Sequence, residues 1–183
     1  KRVLDVLFAI FLMLITTPLI IIAAILIKIT SKGPILFKQK RPGRDKKIFT
    51  IYKFRTMQNK VSNTYSFQDG SYEKVTNWGK FLRKTKLDEL PQFFNVIKGQ
   101  MSLVGPRPLF DEDTNLFDEN YMRRLNVLPG ITGLLQINER NTSEFSTWYK
   151  YDIEYIENWS LYLDIAIILR TPFALFSKKE KGL

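Results

Sequence analysis

The feature that most limits what this chain can fold into is its beginning. From Val3 to Ile29 the sequence is almost continuously apolar, interrupted by Asp5, Thr16-Thr17-Pro18 and Lys28. As one straight helix this run would reach about 40 Å, enough to cross a hydrocarbon core of roughly 30 Å. It is too long for the apolar region of a cleaved signal peptide, and no small-x-small site follows it. Pro18 lies near its middle. Proline removes a backbone hydrogen bond and clashes with the preceding turn, so a kink is expected there, with the hydroxyls of Thr16 or Thr17 serving the freed carbonyls.

Charge bears on whether the segment crosses or turns back. Lys1 and Arg2 precede it; Lys28, Lys32, Lys38, Lys40 and Arg41 follow it. Cytoplasmic flanks carry the Lys/Arg excess, and here both flanks do. A re-entrant helix that enters and leaves on one face suits both ends, whereas a single span puts one cluster on the wrong side. Each half, Val3–Thr16 and Leu19–Ile29, is also shorter than the roughly 20 residues a span needs. A kinked span and a buried hairpin in a soluble protein are the alternatives.

The remainder suits one compact domain in a chain of 183 residues. With 28 Lys+Arg against 18 Asp+Glu the formal charge is +10. Such an excess points to a polyanionic partner: nucleic acid, an acidic membrane surface or phosphorylated substrates. The chain has no His and no Cys. Ser-His-Asp and Cys-His catalysis, disulfides and His/Cys metal sites are thereby excluded. Any chemistry must rest on carboxylates, Lys, Tyr or hydroxyls.

The pattern predicts an α+β fold, mostly helical. Ser31-Lys32-Gly33-Pro34 is a turn. Ile35–Lys40 and Ile48–Phe54 read as strands of a small β-hairpin around Pro42-Gly43-Arg44-Asp45. Gln58–Ser71 is polar and reads as a loop. Helices are expected over Tyr72–Lys84, with Val75, Trp78, Phe81 and Leu82 on one face, and over Asp88–Ile97 and Asp111–Leu125. Leu103-Val104-Gly105-Pro106-Arg107-Pro108 is expected to be a rigid irregular loop, with Arg107 held between two rings. Pro129–Gly133 reads as a turn leading to a strand over Leu134–Ile137. Ser143–Asn158 and Leu161–Phe176 are the last helices. The first of these carries Phe145, Trp148, Tyr149, Tyr155, Ile156 and then Trp159, which suits a membrane–water boundary or a packed core. The second is apolar with Asp164 and Arg170 interspersed, and suits an interfacial amphipathic helix. The organisation expected is a re-entrant helix over residues 1–30, broken at Thr17-Pro18, a catalytic domain over 31–176 and a basic tail over 177–183.

The candidate chemistry lies in Lys84-Thr85-Lys86-Leu87-Asp88-Glu89-Leu90-Pro91-Gln92. Asp88 suits a helix N-cap, with Pro91 in the first turn. Two carboxylates at the positive end of a helix, among cations, would stay ionised and attract phosphates with their metal ions. The plainer reading is an ordinary capped helix whose acids pair with Lys84 and Lys86.

Five blocks occur in order: Phe37-Lys38-Gln39-Lys40-Arg41-Pro42-Gly43, Tyr52-Lys53-Phe54-Arg55-Thr56-Met57, Leu87-Asp88-Glu89-Leu90-Pro91-Gln92, Leu103-Val104-Gly105-Pro106-Arg107-Pro108 and Pro129-Gly130-Ile131-Thr132-Gly133. Together they closely resemble the bacterial sugar transferase family, the small monotopic phosphoglycosyl transferases, as far as about Phe176. The resemblance implies transfer of a sugar-1-phosphate from a UDP-sugar to polyprenyl phosphate. The products would be a polyprenyl diphosphosugar, which starts glycoconjugate assembly, and UMP. It implies an Asp-Glu dyad with Mg²⁺, mapping onto Asp88 and Glu89, and an aspartyl phosphosugar intermediate. It implies a place on the cytoplasmic face of the bacterial inner membrane, among its lipids, with no nucleic acid as partner. The family's helix breaks at Ser-Pro, for which this chain has Thr17-Pro18. The family's Asn-Gly-Arg-Asn reads Asn138-Glu139-Arg140-Asn141 here, so Glu139 removes backbone freedom beside Arg140. Lys53, Arg55, Arg83, Arg107 and Arg140 are the candidates for phosphate and nucleotide contacts, since Arg offers phosphate a planar fork. The alternative is a membrane-anchored basic module that binds RNA or acidic lipid without catalysis, although no RNA-recognition or helix-turn-helix signature accompanies it.

Overall fold

The computed structural model describes residues 1–57, 75–109, 118–139, 142 and 144–176. The expected loop over 58–71, the start of the helix at Tyr72, residues 111–117 of the third expected helix, Arg140, Asn141, Ser143 and the tail over 177–183 lie outside them.

Helix α1, Arg2–Thr30, carries Pro18 inside it. Thr17-Pro18, where the break is expected, falls inside this helix. The hydroxyls of Thr16 and Thr17 donate to the carbonyls of Leu12 and Met13, each at 2.7 Å. These bonds reinforce the turn before Pro18, rather than serving the Leu14 carbonyl that proline leaves without its usual donor.

Among the described residues, only one side of α1 faces protein. Ala9, with Leu12 and Met13, packs into a core of Phe49, Phe93, Val96, Met101, Leu103 and Ile167. Ala23 and Ile27 pack into a second cluster with Phe54 and Leu82. The small side chains at Ala9 and Ala23 let the helix lie close against the body. Its other side is bare: Leu7, Phe11, Leu14, Ile15, Ile22, Ile25 and Ile29 are all exposed. An unbroken apolar face of this kind marks a membrane or partner surface.

Both ends of α1 are fastened to the same body. Lys1 Nζ donates to Asp164 at 2.6 Å and to the Val104 carbonyl at 3.1 Å. Arg2 donates to the carbonyls of Val96 and Ile97, at the C-terminus of a short helix where a cation is favoured. Buried Asp5 accepts from Ser102 Oγ and from the Leu103 amide. At the far end Arg55 donates to the carbonyls of Ser31 and Lys32 at 2.8 and 2.6 Å.

Strands β1, Leu36–Pro42, and β2, Ile48–Phe54, form the expected antiparallel hairpin, with Leu36 opposite Phe54 and Pro42 opposite Ile48. Helix α2, Asn77–Thr85, begins later than expected because Thr76 caps it, accepting from the Gly79 amide at 2.9 Å. Val75 therefore lies in a bridge with Met57 instead of on the helix. Gly79 is required: a Cβ there would stand 2.0 Å from the Thr56 carbonyl oxygen.

A 3-10 turn, Leu87–Gln92, leads into α3, Phe93–Ile97. Strand β3, Ser102–Val104, takes up the start of the expected irregular loop and pairs in parallel with β4, Gly130–Thr132. The strand expected over Leu134–Ile137 is instead helix α5, Leu134–Asn138, and the strand falls on the expected turn before it. A short apolar run does not distinguish the two forms; pairing of Gly130–Thr132 with β3 decides. Helix α4, Glu119–Met122, continues as a 3-10 turn over Arg123–Asn126. Helices α6, Phe145–Glu157, and α7, Leu161–Phe176, close the chain. Phe145, Trp148 and Tyr149 of α6 pack against Tyr121 and Ile153, so that aromatic stripe belongs to a core. On α7, Tyr162, Ile165, Leu169 and Phe173 are exposed.

Candidate active site

The dyad is placed by an abrupt change of helix. Lys86 adopts the left-handed conformation, φ 57°, which ends α2 and starts the 3-10 turn at once. Asp88 is thus inside the turn and caps nothing, contrary to the N-cap expectation. The turn is pinned to β2 from behind by Asn95. Its Nδ2 donates to the Thr50 carbonyl at 2.7 Å and its Oδ1 accepts from the Tyr52 amide at 3.2 Å. Lys53, also on β2, reaches the dyad.

Asp88 and Glu89 are both buried, at 8% and 7% exposure, yet their surroundings differ. Glu89 Oε1 is 3.0 Å from Lys53 Nζ, 3.4 Å from Arg107 Nη2 and 3.8 Å from Lys86 Nζ. Burial alone would raise its pKa, but Lys53, Arg107 and Lys86 reverse that and hold the carboxyl far below the usual range. Asp88 behaves oppositely. Burial, and then the neighbouring charge of Glu89, push its pKa up against the pull of Lys53, Lys86 and Arg83. Its Oδ1 is buried with no hydrogen-bond partner among the described residues. Of the expected lysine pairs, Lys86 takes Glu89, while Lys84 is exposed.

Arg107 comes from the opposite side. Gly105 donates to the Thr132 carbonyl at 2.9 Å, and Gly130 donates to the Pro106 carbonyl at 2.8 Å. The two backbones are so close that a Cβ on Gly130 would lie 2.1 Å from the Gly105 nitrogen. Behind the loop sits a buried network that sequence reading missed. Arg124 donates to the carbonyl of Arg107 and pairs with Asp152 at 3.0 Å; Tyr121 OH donates to Asp152 at 2.8 Å. The available signal was Asp152 lying between Trp148 and Tyr155 at helical spacing, a carboxylate on an inward face.

Arg83 stands at the dyad's edge, its Nε donating to Thr56 Oγ1 at 2.9 Å. Arg55 is not brought to the dyad, since its guanidinium clasps Ser31 and Lys32. Thr17 and Pro18 are on α1. Arg107 lies between two pockets. One runs between Pro42-Gly43 and Pro106, Pro108 and Pro129. The other, the roomier, extends from Lys86, Glu89 and Arg107 toward Ile131 and α7.

A divalent ion suits this chemistry. The described residues hold no cluster of three or more acidic, His or Cys side chains. Mg²⁺ usually takes one or two carboxylates and completes its shell with phosphate and water. The buried, unpartnered Oδ1 of Asp88 is an oxygen donor of the right hardness beside the Glu89 carboxylate.

Two buried carboxylates thus lie within a ring of Lys53, Arg83, Lys86 and Arg107, on a body that carries an exposed apolar helix face. The chain belongs to the bacterial sugar transferase family, whose pattern it matches over residues 1–178. It is 43% identical, over 98% of its length, to a UDP-glucose:undecaprenyl-phosphate glucose-1-phosphate transferase of Klebsiella pneumoniae, and covers 41% of that protein. It is 41% identical over 93% of its length to the uncharacterized sugar transferase EpsL of Bacillus subtilis (strain 168), covering 84% of it. It is also 41% identical over 93% of its length to a UDP-N-acetylgalactosamine-undecaprenyl-phosphate N-acetylgalactosaminephosphotransferase of Aeromonas hydrophila, covering 42%. The chain thus spans about two fifths of the Klebsiella and Aeromonas relatives.

Proposed function

We infer that this protein transfers a sugar-1-phosphate from a UDP-sugar to polyprenyl phosphate at the cytoplasmic face of a bacterial membrane. The observation that carries the reading is the contrast within the dyad: Glu89 meets Lys53, Lys86 and Arg107 through one oxygen, and Asp88 is buried with an unpartnered oxygen. A carboxylate left without a partner is available as a nucleophile.

In the first displacement Asp88 attacks the phosphorus that bears the sugar. The bond from that phosphorus to the bridging oxygen breaks, UMP leaves with the electron pair, and Asp88 holds the phosphosugar. In the second, an oxygen of polyprenyl phosphate attacks the same phosphorus and Asp88 is released. Lys53, Arg83 and Arg107 offset the charge of the phosphates, which would otherwise repel an attacking carboxylate. Glu89 anchors Lys53, Lys86 and Arg107 and so keeps these cations in place. Mg²⁺, held by Asp88 and Glu89, would supply further charge neutralisation on the phosphate oxygens.

The fastening of both ends of α1 to one body supports a monotopic, re-entrant placement, since a crossing helix would carry one end away from it. No particular observation favours the non-catalytic RNA- or lipid-binding alternative. The test is UMP release in detergent from a panel of UDP-sugars, with and without a short polyprenyl phosphate. Release that depends on one UDP-sugar, and formation of a polyprenyl diphosphosugar, are expected. Absence of UMP with every UDP-sugar would overturn the reading.

A further inference from the structure

The roomier pocket beside the dyad has two unlike ends. At one end stand Lys86, Glu89 and Arg107; beyond them the walls are Leu90, Phe93, Ile131 and Ala174. Gln136 also lines it, and both polar atoms of its carboxamide are buried without a hydrogen-bond partner among the described residues. Buried amide groups are nearly always paired in proteins, so an unpaired one facing a pocket calls for a ligand group. Thr132 and Thr171 are satisfied by each other at 2.8 Å.

We propose that this pocket receives the prenyl phosphate acceptor, with its phosphate between Arg107 and Lys86 and its first isoprene unit between Phe93, Ile131 and Ala174. The inference rests on the reaction proposed above and adds where the acceptor sits. Cations at one end and hydrocarbon at the other match an amphiphile. A nucleotide sugar is polar along its whole length and would leave those walls against hydroxyls. The Gln136 amide, closed off from the pocket's open space in this structure, would turn to donate to the phosphate. Helix α7 supplies one wall through Thr171 and Ala174 and presents Ile165, Leu169 and Phe173 outward. The rest of the lipid chain therefore leaves along a helix that already meets an apolar medium.

The chain has no cysteine, so Ala174→Cys introduces a single thiol. Its labelling by a maleimide is followed in detergent with farnesyl phosphate, farnesol, inorganic phosphate or UDP-glucose added. Farnesyl phosphate is expected to slow labelling at least tenfold, and the other three to leave it within twofold. Ile29→Cys, on the exposed side of α1 and away from α7, is expected to be unaffected. Equal protection at both positions would reveal a micelle effect and overturn the proposal, as would protection by UDP-glucose alone. Thr171→Cys, on the same wall, repeats the measurement if the first variant does not fold. Ala174→Phe should raise the KM for prenyl phosphate at least tenfold while a stoichiometric burst of UMP, measured without acceptor, persists. If the wild type gives no burst but farnesyl phosphate still protects, the covalent step fails and the pocket assignment stands.

Discussion

Arg124 donates from its guanidinium to the backbone carbonyl of Arg107, so a residue buried at 4% exposure fixes the loop from which another arginine meets Glu89. Asp152 pairs with that guanidinium, and Tyr121 holds Asp152. Three segments far apart in the chain thereby set one cation at the site.

Removing one partner of this pair strands a buried charge, so Arg124→Ala should cost about 3–5 kcal/mol of stability. Replacing both, as Arg124→Met with Asp152→Leu, should leave stability nearly unchanged or raised by about 1–4 kcal/mol. Transfer should nevertheless fall about tenfold in kcat/KM, a barrier change of about 1.4 kcal/mol, because Arg107 loses its backbone support. Urea melts and UMP release on the double variant check both outcomes. A stable double variant with full activity would reduce the network to packing.

Asp88→Asn should abolish transfer, since loss of a nucleophile costs several orders of magnitude in rate. It should also raise the melting temperature. Burial lifts the Asp88 pKa above its unfolded value. Its stabilising effect is therefore present below the unfolded pKa and lost as pH rises through the folded one. At neutral pH the ionised group is a net cost that Asn does not bear. The gain over wild type, read by calorimetry, should be present at pH 7 and vanish near pH 3.

Glu89 has the opposite sign. Lys53, Arg107 and Lys86 depress its pKa from 4.5 despite burial. Its contribution is present above the unfolded pKa and is lost as pH falls below about 4.5 toward the folded value. Glu89→Gln should lower stability at pH 7 by about 3 kcal/mol, with three cations left facing one another. It should also flatten the acid side of the stability profile. Thermal melts from pH 3 to 7 decide this.

Excess EDTA should remove transfer, and Mg²⁺ or Mn²⁺ should restore it, because an acidic pair needs a cation to approach a diphosphate. Undiminished UMP release in EDTA would exclude the metal role proposed for Asp88 and Glu89.

Cysteines placed singly before Lys1 and at Lys32 should both be shielded from an impermeant maleimide in intact cells and labelled in opened ones. Labelling of the first from outside would show a crossing helix.

Much of this was legible in the residues. The β1–β2 hairpin follows from two short strand-like runs around Pro42-Gly43-Arg44-Asp45, and α7 from its apolar run with Asp164 and Arg170 interspersed. A chain without His or Cys drew attention to the Asp88-Glu89 carboxylates, while their role as a dyad, with Lys53, Arg83 and Arg107 as phosphate contacts, came with the resemblance to the bacterial sugar transferase family. What escaped depends on distant contacts. The β4 strand exists through Gly105 and Gly130 approaching each other, and α5 then takes a run that reads equally well as strand. Lys86 chose a left-handed turn, which no local rule required of a lysine, and this moved Asp88 off the cap. Arg55 looked like the other arginines, but the carbonyls of Ser31 and Lys32 occupy it.

The double fastening of α1 also bears on bilayer thickness. A spanning helix answers a thicker or thinner bilayer by tilting, and carries its soluble domain with it. A helix held by Lys1, Arg2 and Asp5 at one end and by Arg55 at the other has no such freedom. In the monotopic placement proposed above, the depth of Asp88 relative to the headgroups would be a fixed dimension of the protein, as a keel fixes the draught of a hull. Vesicles made from lipids of different acyl length should present the same catalytic depth to every acceptor molecule.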